Sequence, residues 1–257
     1  MDRRAAFGLG PKPGDAVGPG MFEDGLRGQE LKTPADGDGC PARTARAVAR
    51  HFLNSIFKDH AFIRMIYMNA FDVSPNMRRS GQPTPAQIRD AARQGIRTIV
   101  NLRGRRENCG SWVLEEEACR RHGVRLVDFP VNSRDVPKKE TLHKAREMFA
   151  SIEYPALMHC KAGADRVGFM SALYLLVHER RPLEDAVRQL DWRYGHFRQA
   201  KTGILDYFFD AYRDHIRQDP VDFYTWVDQV YDPPALKTRF MSQWWANVLN
   251  EKVLRRE

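Results

Sequence analysis

The segment Ala156–Val177, ALMHCKAGADRVGFMSALYLLV, contains the features that decide the expected fold of this chain. Its first four residues, 156–159, predict a short buried strand, and the apolar run over residues 167–179 predicts a helix. A tight loop over residues 160–166 joins the two. Gly163 within this loop allows a turn at a point where a Cβ would clash. The segment therefore predicts a strand, a loop and a helix in direct succession.

Strands and helices also alternate along the chain before this segment. Thr84 is suited to cap a helix, Pro85 to occupy its first turn, and Gly95 to end it. Apolar periodicity predicts helices at 84–94, 111–122 and 140–152 and strands at 96–102 and 124–131. Gly123 is expected to end the 111–122 helix. Repeats of this length predict an α/β fold in which a mostly parallel central sheet is flanked by helices.

Composition divides the chain into three predicted parts. Nine of the 18 glycines lie in the first 40 residues, so residues 1–45 are predicted to form a flexible leader. Residues 46–215 form the predicted α/β domain, which has two further helices between 184 and 216. Within it, residues 52–67 have helical apolar spacing, which favours a core-packing helix over a membrane-surface helix. Residues 216–257 are predicted to be a helical, Trp- and Tyr-rich C-terminal extension that covers the core or, less favoured, forms an interaction surface.

The overall composition excludes several classes of protein. Of the 257 residues, 42% are hydrophobic and 29% are charged, which is typical of a soluble globular protein. No apolar run reaches the roughly 18 residues that a membrane span needs, and the N-terminus has no apolar signal core. Four irregularly spaced cysteines favour a reducing compartment, so a cytoplasmic location is expected. A net charge of +8 favours anionic partners, but the scattered arginines do not indicate nucleic-acid binding.

The loop after the 156–159 strand has the features of a phosphate cradle. Backbone N–H groups of a short loop above a helix N-terminus bind an anion, and Arg166 can donate two hydrogen bonds to its oxygens. The same positive field stabilises Cys160 as the nucleophilic thiolate. The predicted phosphate-binding loop consists of Lys161, Ala162, Gly163, Ala164, Asp165 and Arg166.

Spacing alone does not single out Cys160. Cys40 and Arg46, like Cys119 and Arg125, are also separated by five residues. Cys40 lies in the glycine-rich leader, and Cys119 lies inside a predicted helix where its amide is already bonded. Only Cys160 has a strand before it, a glycine in the following loop and a helix after it.

The segment HCKAGADRVG, residues 159–168, resembles the His-Cys-x5-Arg signature of the cysteine-dependent protein tyrosine phosphatases. The segment RRSGQPTPAQIRDAARQGIRTIVNLRG, residues 78–104, resembles the first strand, helix and first core strand of the compact dual-specificity-like branch. The resemblance covers roughly residues 75 to 215. It implies that residues 46–215 are a dual-specificity-like phosphatase domain within a cysteine phosphatase fold.

The resemblance also implies a mechanism. Cys160 would attack phosphorus, Arg166 and the loop amides would hold the phosphoryl group, and water would hydrolyse the phosphocysteine. His159 would tune the thiolate by hydrogen bonding. No metal or other cofactor is expected, because the arginine and the amide dipoles supply the charge stabilisation.

The general acid that the resemblance implies has two candidates. Asp135 lies in a predicted loop, whereas Asp128 lies inside the predicted 124–131 strand. Asp135 is favoured, because mobile loops deliver such groups and a carboxylate within a strand is usually fixed by packing or pairing. For Asp165, inside the cradle, capping of the following helix is favoured over orienting the loop.

One departure from the family leaves alternatives open. Val167 stands where the family usually has Ser or Thr, whose hydroxyl eases breakdown of the phosphocysteine. The favoured function is a protein tyrosine or dual-specificity phosphatase. The alternatives are a lipid or sugar phosphate phosphatase and a slow-turnover phosphate-binding scaffold. The expected partner is a phosphorylated protein or a small phosphoester; a membrane surface is not favoured, and the oligomeric state is open.

Other candidate residues have two interpretations each. An arginine cluster after the first core strand either attracts an anionic substrate or is solvated: Arg103, Arg105 and Arg106. A second cluster is a further phosphate contact, a partner-facing patch or an ordinary surface: Arg193, His196, Arg198 and Lys201. Cys109 is favoured as a plain loop cysteine over a resolving thiol. The spacing of Cys109, Cys119 and His122 matches no zinc pattern.

Overall fold

The structure is a computed structural model that describes residues 69–254, with side chains described for residues 69–246. The predicted leader over residues 1–45 and the predicted helix over residues 52–67 lie outside the described residues. The boundary between a 46–215 domain and a 216–257 extension stays a prediction. No helix within residues 69–254 is long and apolar enough to cross a membrane.

A five-stranded sheet forms the centre of the structure. Its strands are β1 (Phe71–Ser74), β2 (Met77–Ser80), β3 (Thr98–Asn101), β4 (Arg125–Asp128) and β5 (Ala156–His159), in the order β1-β2-β5-β3-β4. Strand β1 pairs antiparallel with β2, and every other pair is parallel. The prediction of a mostly parallel sheet within an α/β fold is therefore confirmed.

Eight α-helices lie in the described part of the chain. They are α1 (Pro85–Arg93), α2 (Gly110–His122), α3 (Lys139–Ser151), α4 (Asp165–Val177), α5 (Leu183–Ala186), α6 (Ile204–Ile216), α7 (Phe223–Gln229) and α8 (Pro233–Leu254). Three short 3-10 segments occur at Val187–Gln189, Trp192–Tyr194 and Lys201–Gly203. The helix predicted near residue 184 is a single α-helical turn that continues as a 3-10 segment. The Gln189 carbonyl at its end accepts a hydrogen bond from Arg79.

The helix ends follow local sequence signals. Thr84 caps α1 in a reciprocal capping box with Gln87, which satisfies N–H groups that the first turn leaves unpaired. Gly123 ends α2 with φ of 65°, a left-handed conformation that glycine adopts without steric cost. Both ends agree with the predictions made from the sequence.

The helices cover the sheet with two apolar clusters. The larger cluster joins α3, α4 and α6 to the C-terminal helices, and it includes Phe149, Phe169, Phe208 and Trp226. The smaller cluster joins α1 and α2 to the sheet around Ile99. Burial of aromatic side chains from α7 and α8 confirms that these helices cover the core, as the favoured interpretation predicted.

The register of the parallel strands determines where the loops meet. Strand β5 ends at His159, which pairs with Ser80 at the end of β2 and with Asn101 at the end of β3. Asn101 in turn pairs with Asp128 at the end of β4. The loops that follow these four strands therefore leave from one edge of the sheet. This edge is where ligands bind in open parallel sheets.

Candidate active site

Cys160 is the first residue after β5, and it is 3% exposed. The chain then turns through a loop into α4, whose N-cap is Ala164. Cys160 therefore lies between the carboxyl end of a central strand and the N-terminus of a 13-residue helix. The helix dipole adds positive potential at this point.

Four successive carbonyl groups of the loop bind donors outside the cradle. The Lys161 carbonyl accepts from Gln82 N at 3.2 Å, and the Ala162 carbonyl accepts from Asn69 Nδ2 at 3.0 Å. The carbonyls of Gly163 and Ala164 accept from Arg79 Nη2 at 2.9 and 3.2 Å. In a trans peptide the next N–H points away from the preceding carbonyl, so the amides of residues 162–165 face the opposite side. Successive N–H groups on one side form an anion-binding cradle.

Gly163 is required by the backbone of this loop. Its φ is +75°, in the left-handed region that side chains disfavour. A Cβ there would lie 2.7 Å from Gly81 N and 3.0 Å from Asn69 Nδ2. The loop therefore approaches Gly81, directly after β2, more closely than a residue with a side chain at position 163 would allow.

Arg166 is half-buried in the first turn of α4. Within residues 69–246 its guanidinium has no carboxylate partner, in contrast to Arg198 and Arg213, which pair with Asp210. A guanidinium that emerges beside the cradle amides without such a partner is available for two phosphate oxygens.

His159 forms a buried side-chain contact with Glu115 of α2. The two atoms, His159 Nε2 and Glu115 Oε1, lie 2.5 Å apart, and both side chains are inaccessible to solvent. Gln82 donates to the other Glu115 oxygen at 2.8 Å and accepts from Arg103 at 2.7 Å. This chain of contacts holds His159, the residue next to Cys160, in one orientation. Of the predicted arginine cluster, Arg103 is thus part of the site's support, whereas Arg105 pairs with Glu107.

Glu115, Gln82 and Arg79 support the site but were not predicted from the sequence. A signal for Glu115 was present, because it follows Trp112 by three residues and precedes Cys119 by four, on the buried face of α2. No spacing in the sequence pairs it with His159, which is 44 positions away.

Asp165 does not cap α4. Ala164 is the N-cap without a side-chain hydrogen bond, and Asp165 binds His196 Nδ1 at 2.7 Å instead. The other His196 nitrogen lies 2.6 Å from Asp206 of α6. The capping role predicted for Asp165 is therefore wrong, because a buried imidazole competes for the carboxylate.

His196 is almost completely buried between these two carboxylates. Burial alone lowers the pKa of a histidine, but the hydrogen bonds and charges of Asp165 and Asp206 outweigh it and raise the pKa of His196 to about 9. Of the cluster predicted around His196, the histidine itself therefore lies inside the fold. Arg193 pairs with Asp191, and Lys201 lies over the Trp244 ring at 5.2 Å.

The two candidate acids have different surroundings. Asp128, the last residue of β4, accepts from Asn101 Nδ2 at 2.7 Å and from Trp112 Nε1 at 3.1 Å. Burial raises its pKa against the opposing effect of these hydrogen bonds. Asp135 lies in the loop between β4 and α3, partly exposed, 3.0 Å from Lys237 of α8. The end of β4 and the loop that follows it leave the sheet at the edge where the cradle lies.

The remaining cysteines differ from Cys160. Cys119 is buried in α2, and burial raises the pKa of its thiol well above the usual range. Cys109 is the N-cap residue of α2, and the described cysteines are unbonded to one another. No group of three or more metal-ligating side chains occurs among the side chains that the structure describes.

This arrangement of strand, cradle and helix defines the cysteine-dependent protein tyrosine phosphatase superfamily, and the chain falls in its compact dual-specificity-like branch. Residues 68–202, more than half of the chain, match the family described as DSP-PTPase phosphatase fused to NAD+ kinase. The chain belongs to that family.

Two curated relatives and one solved structure show the extent of similarity. Dual specificity protein phosphatase TpbA of Pseudomonas aeruginosa (strain UCBPP-PA14) is 29% identical over 111 residues, which cover 43% of this chain and 47% of TpbA. The beta-lactamase hydrolase-like protein of Xylella fastidiosa (strain Temecula1) is 31% identical over 98 residues, 37% of this chain and 22% of that protein. A crystal structure of P. aeruginosa TpbA is 22% identical with a TM-score of 0.46, covering 56% of this chain and 84% of that one. The sequence matches thus span about half the length of TpbA and about a fifth of the Xylella protein.

Proposed function

We propose that this protein hydrolyses phosphomonoesters through a phosphocysteine intermediate, without a metal ion. The observation that carries the proposal is the cradle after Cys160, in which four successive carbonyls are bound from outside. The amides between them are thereby presented together to an anion, beside Arg166. Membership of a phosphatase family supports the same chemistry.

The proposed reaction has two displacements. In the first, the Cys160 thiolate attacks phosphorus, the bond to the ester oxygen breaks, and the general acid protonates the departing alcohol. In the second, water attacks the phosphocysteine, the S–P bond breaks, and inorganic phosphate leaves with the thiolate regenerated. Arg166 and the loop amides of residues 161–166 hold the equatorial oxygens in both steps.

Asp135 is the proposed general acid. Its partly exposed side chain stands in a loop, and its partner Lys237 is an exposed lysine that can release it. Asp128 is instead held by two donors from neighbouring elements, which supports a fixed role. His159, positioned by Glu115, supports the nucleophile without contacting substrate.

A phosphorylated protein is the proposed substrate, with phosphotyrosine or phosphoserine/threonine as the reacting group. The name of the relative TpbA, a dual specificity protein phosphatase, supports this class. A cytoplasmic location is part of the proposal, since few and irregularly spaced cysteines suit a reducing compartment. The second candidate is a phosphate-binding protein with slow turnover, and Val167 is the observation that favours it.

Rapid-mix hydrolysis of an aryl phosphate tests the chemistry. The assay uses the full chain with chelator and reductant and compares wild type, Cys160→Ser and the control Cys109→Ser. We expect turnover in wild type and Cys109→Ser and none in Cys160→Ser. A single burst followed by a stall would support the slow-turnover candidate, and the absence of both a burst and steady turnover would refute the proposed hydrolysis.

A second assay tests the substrate class. A phosphotyrosine peptide, a phosphoserine peptide and vesicles containing a phosphoinositide are compared by kcat/KM. We expect a peptide to be the better substrate. Preference for the vesicle would replace the protein substrate with a lipid and leave the chemistry intact.

A further inference from the structure

Arg79 is a fully buried arginine at the end of β2, directly under the cradle. Its Nη1 donates to the Gln189 carbonyl at 2.7 Å and to Gln189 Oε1 at 2.9 Å. Its Nη2 donates to the carbonyls of Gly163 and Ala164. Its Nε has no hydrogen-bond partner among the described residues. The guanidinium therefore connects the cradle to the 3-10 segment at 187–189.

This buried cation has no carboxylate partner within residues 69–246. Its neighbours are carbonyls, an amide and the ring of Tyr194, whose centroid lies 4.0 Å from the Arg79 Cζ. A buried charge is costly without a compensating one. Burial lowers the pKa of Arg79 to about 10, opposed by the charge interactions with Tyr194 and Cys160, so the side chain remains cationic at neutral pH.

The carboxylates near the cradle already have other partners. Glu115 contacts His159 and Gln82, and Asp165 contacts His196. Cys160 and Tyr194 are the groups whose charges favour the cationic form of Arg79. Cys160 is therefore the cradle residue on which the charge of Arg79 acts.

We propose that Arg79 is a positioning residue of the cradle that turns the Gly163 and Ala164 carbonyls outward and supplies a fixed positive charge to the Cys160 thiolate and the bound phosphoryl group. Arg79 acts through the loop and does not touch the substrate. The inference rests on the proposed role of Cys160 as nucleophile. With this role for Arg79, two arginines serve the cradle: Arg166 lies beside the loop and Arg79 lies below it.

The two functions of Arg79 give two readouts that need no turnover. Iodoacetate and iodoacetamide alkylate the same thiolate, so the ratio of their rates at Cys160 cancels the thiolate fraction and reports the local potential. Protection of Cys160 by inorganic phosphate reports cradle geometry. Mass spectrometry of the Cys160 peptide measures both, with Cys109 in the same sample as internal reference. The variants are Arg79→Met and Arg79→Lys in the full chain.

Arg78→Met is the matched control, because Arg78 is the preceding residue of β2 and its exposed guanidinium binds Asp72 and Gln94 instead. In Arg79→Met we expect the iodoacetate-to-iodoacetamide ratio at Cys160 to fall about tenfold, as loss of a nearby unit charge implies. In Arg79→Lys we expect the ratio within about twofold of wild type, because the charge is kept. Phosphate protection in Arg79→Lys should need about fivefold more phosphate, because the planar fork is lost. In Arg78→Met the ratio at Cys160 should equal the wild-type ratio. The ratio at Cys109 should be the same in every variant.

A folded Arg79→Met with the wild-type ratio would overturn the charge role. If circular dichroism shows that Arg79→Met does not fold, Arg79→Lys is the variant that tests the proposal. An unchanged phosphate concentration for half-protection of Cys160 in Arg79→Lys would overturn the positioning role. Failure of the proposed function is separate: it would be absent turnover in wild type, whatever the alkylation ratios show.

Discussion

Lys237 of α8 lies 3.0 Å from Asp135 in the loop between β4 and α3, so the C-terminal helix contacts the loop that holds the proposed general acid. Tyr231, just before α8, donates a buried hydrogen bond to the Pro137 carbonyl at 2.7 Å in the same loop. Farther along α8, Trp244 donates to the Gln199 carbonyl at 3.1 Å. The C-terminal helix therefore joins two loops, one with the proposed acid and one beside His196.

Replacing Lys237 should change the acid step alone. The contact with Lys237 restrains the Asp135 side chain, whereas a general acid must reach the leaving oxygen. We expect Lys237→Gln to raise kcat for phenyl phosphate, a poor leaving group, by about two- to fivefold, since exposed pairs contribute little. Hydrolysis of a nitrophenyl phosphate should not change. Arg239→Gln, an exposed cation on the same helix, is the control. Equal effects on both substrates would contradict the assignment.

Removing the acid itself should give a larger effect of opposite sign. We expect Asp135→Asn to lower kcat for phenyl phosphate by about 100-fold and to have a much smaller effect on nitrophenyl phosphate. Asp128→Asn should lower stability, because Asp128 accepts from Asn101 and Trp112, with similar relative activity on both substrates. Steady-state kinetics with both leaving groups checks this. The reverse pattern would make Asp128 the acid.

The Asp165–His196–Asp206 cluster should make stability depend on pH. The folded-state pKa of His196, about 9, lies above its ordinary value of 6.5. This contribution to the free energy of unfolding is therefore complete below the unfolded pKa and is lost as pH rises through the folded one. We expect His196→Gln to lower the free energy of unfolding by about 2 kcal/mol near neutral or lower pH, with the difference shrinking toward about pH 10. Urea unfolding across this range measures it, and a difference independent of pH would disprove the charged pairing.

Gly163→Ala should damage the cradle more than an equivalent change elsewhere. The new Cβ would lie 2.7 Å from Gly81 N in a residue whose φ is +75°. Gly195→Ala is a matched control, because Gly195 has a φ of +78° but its Cβ would meet nothing nearer than 3.8 Å. We expect the control to lose about 1 kcal/mol of stability and Gly163→Ala to lose more, with phosphate binding abolished. Calorimetry and phosphate titration test both, and similar losses in the two variants would argue against the close approach.

Val167→Thr should accelerate the second displacement. Val167 is inaccessible in the core, and threonine has nearly its shape but adds a hydroxyl beside Arg166. We expect steady-state turnover to rise and the burst to shrink, at a cost of about 1–3 kcal/mol in stability from the buried hydroxyl. Rapid-mix kinetics compares it with Val167→Ala, which adds no hydroxyl. If both variants behave alike, the valine does not limit phosphocysteine breakdown.

Much of this structure could be predicted from local sequence signals. The helix cap at Thr84, the terminating Gly123 and the strand 156–159 followed by a glycine-containing loop depend on neighbouring residues, and each was found where predicted. The mostly parallel sheet followed from their alternation. These features are determined locally because backbone conformation and apolar periodicity act over a few residues.

The surroundings of the site were decided by the tertiary structure. His159 with Glu115, Arg79 with the Gly163 carbonyl and Asp165 with His196 join residues 44, 84 and 31 positions apart. No spacing rule pairs such residues, and one local expectation, that Asp165 caps α4, was wrong for that reason. Local sequence signals identified the loop that contains Cys160 and the glycine that its turn requires. Only the packing of distant elements decided what holds that loop open to an anion, because burial forces each polar group to find a partner wherever the fold brings one.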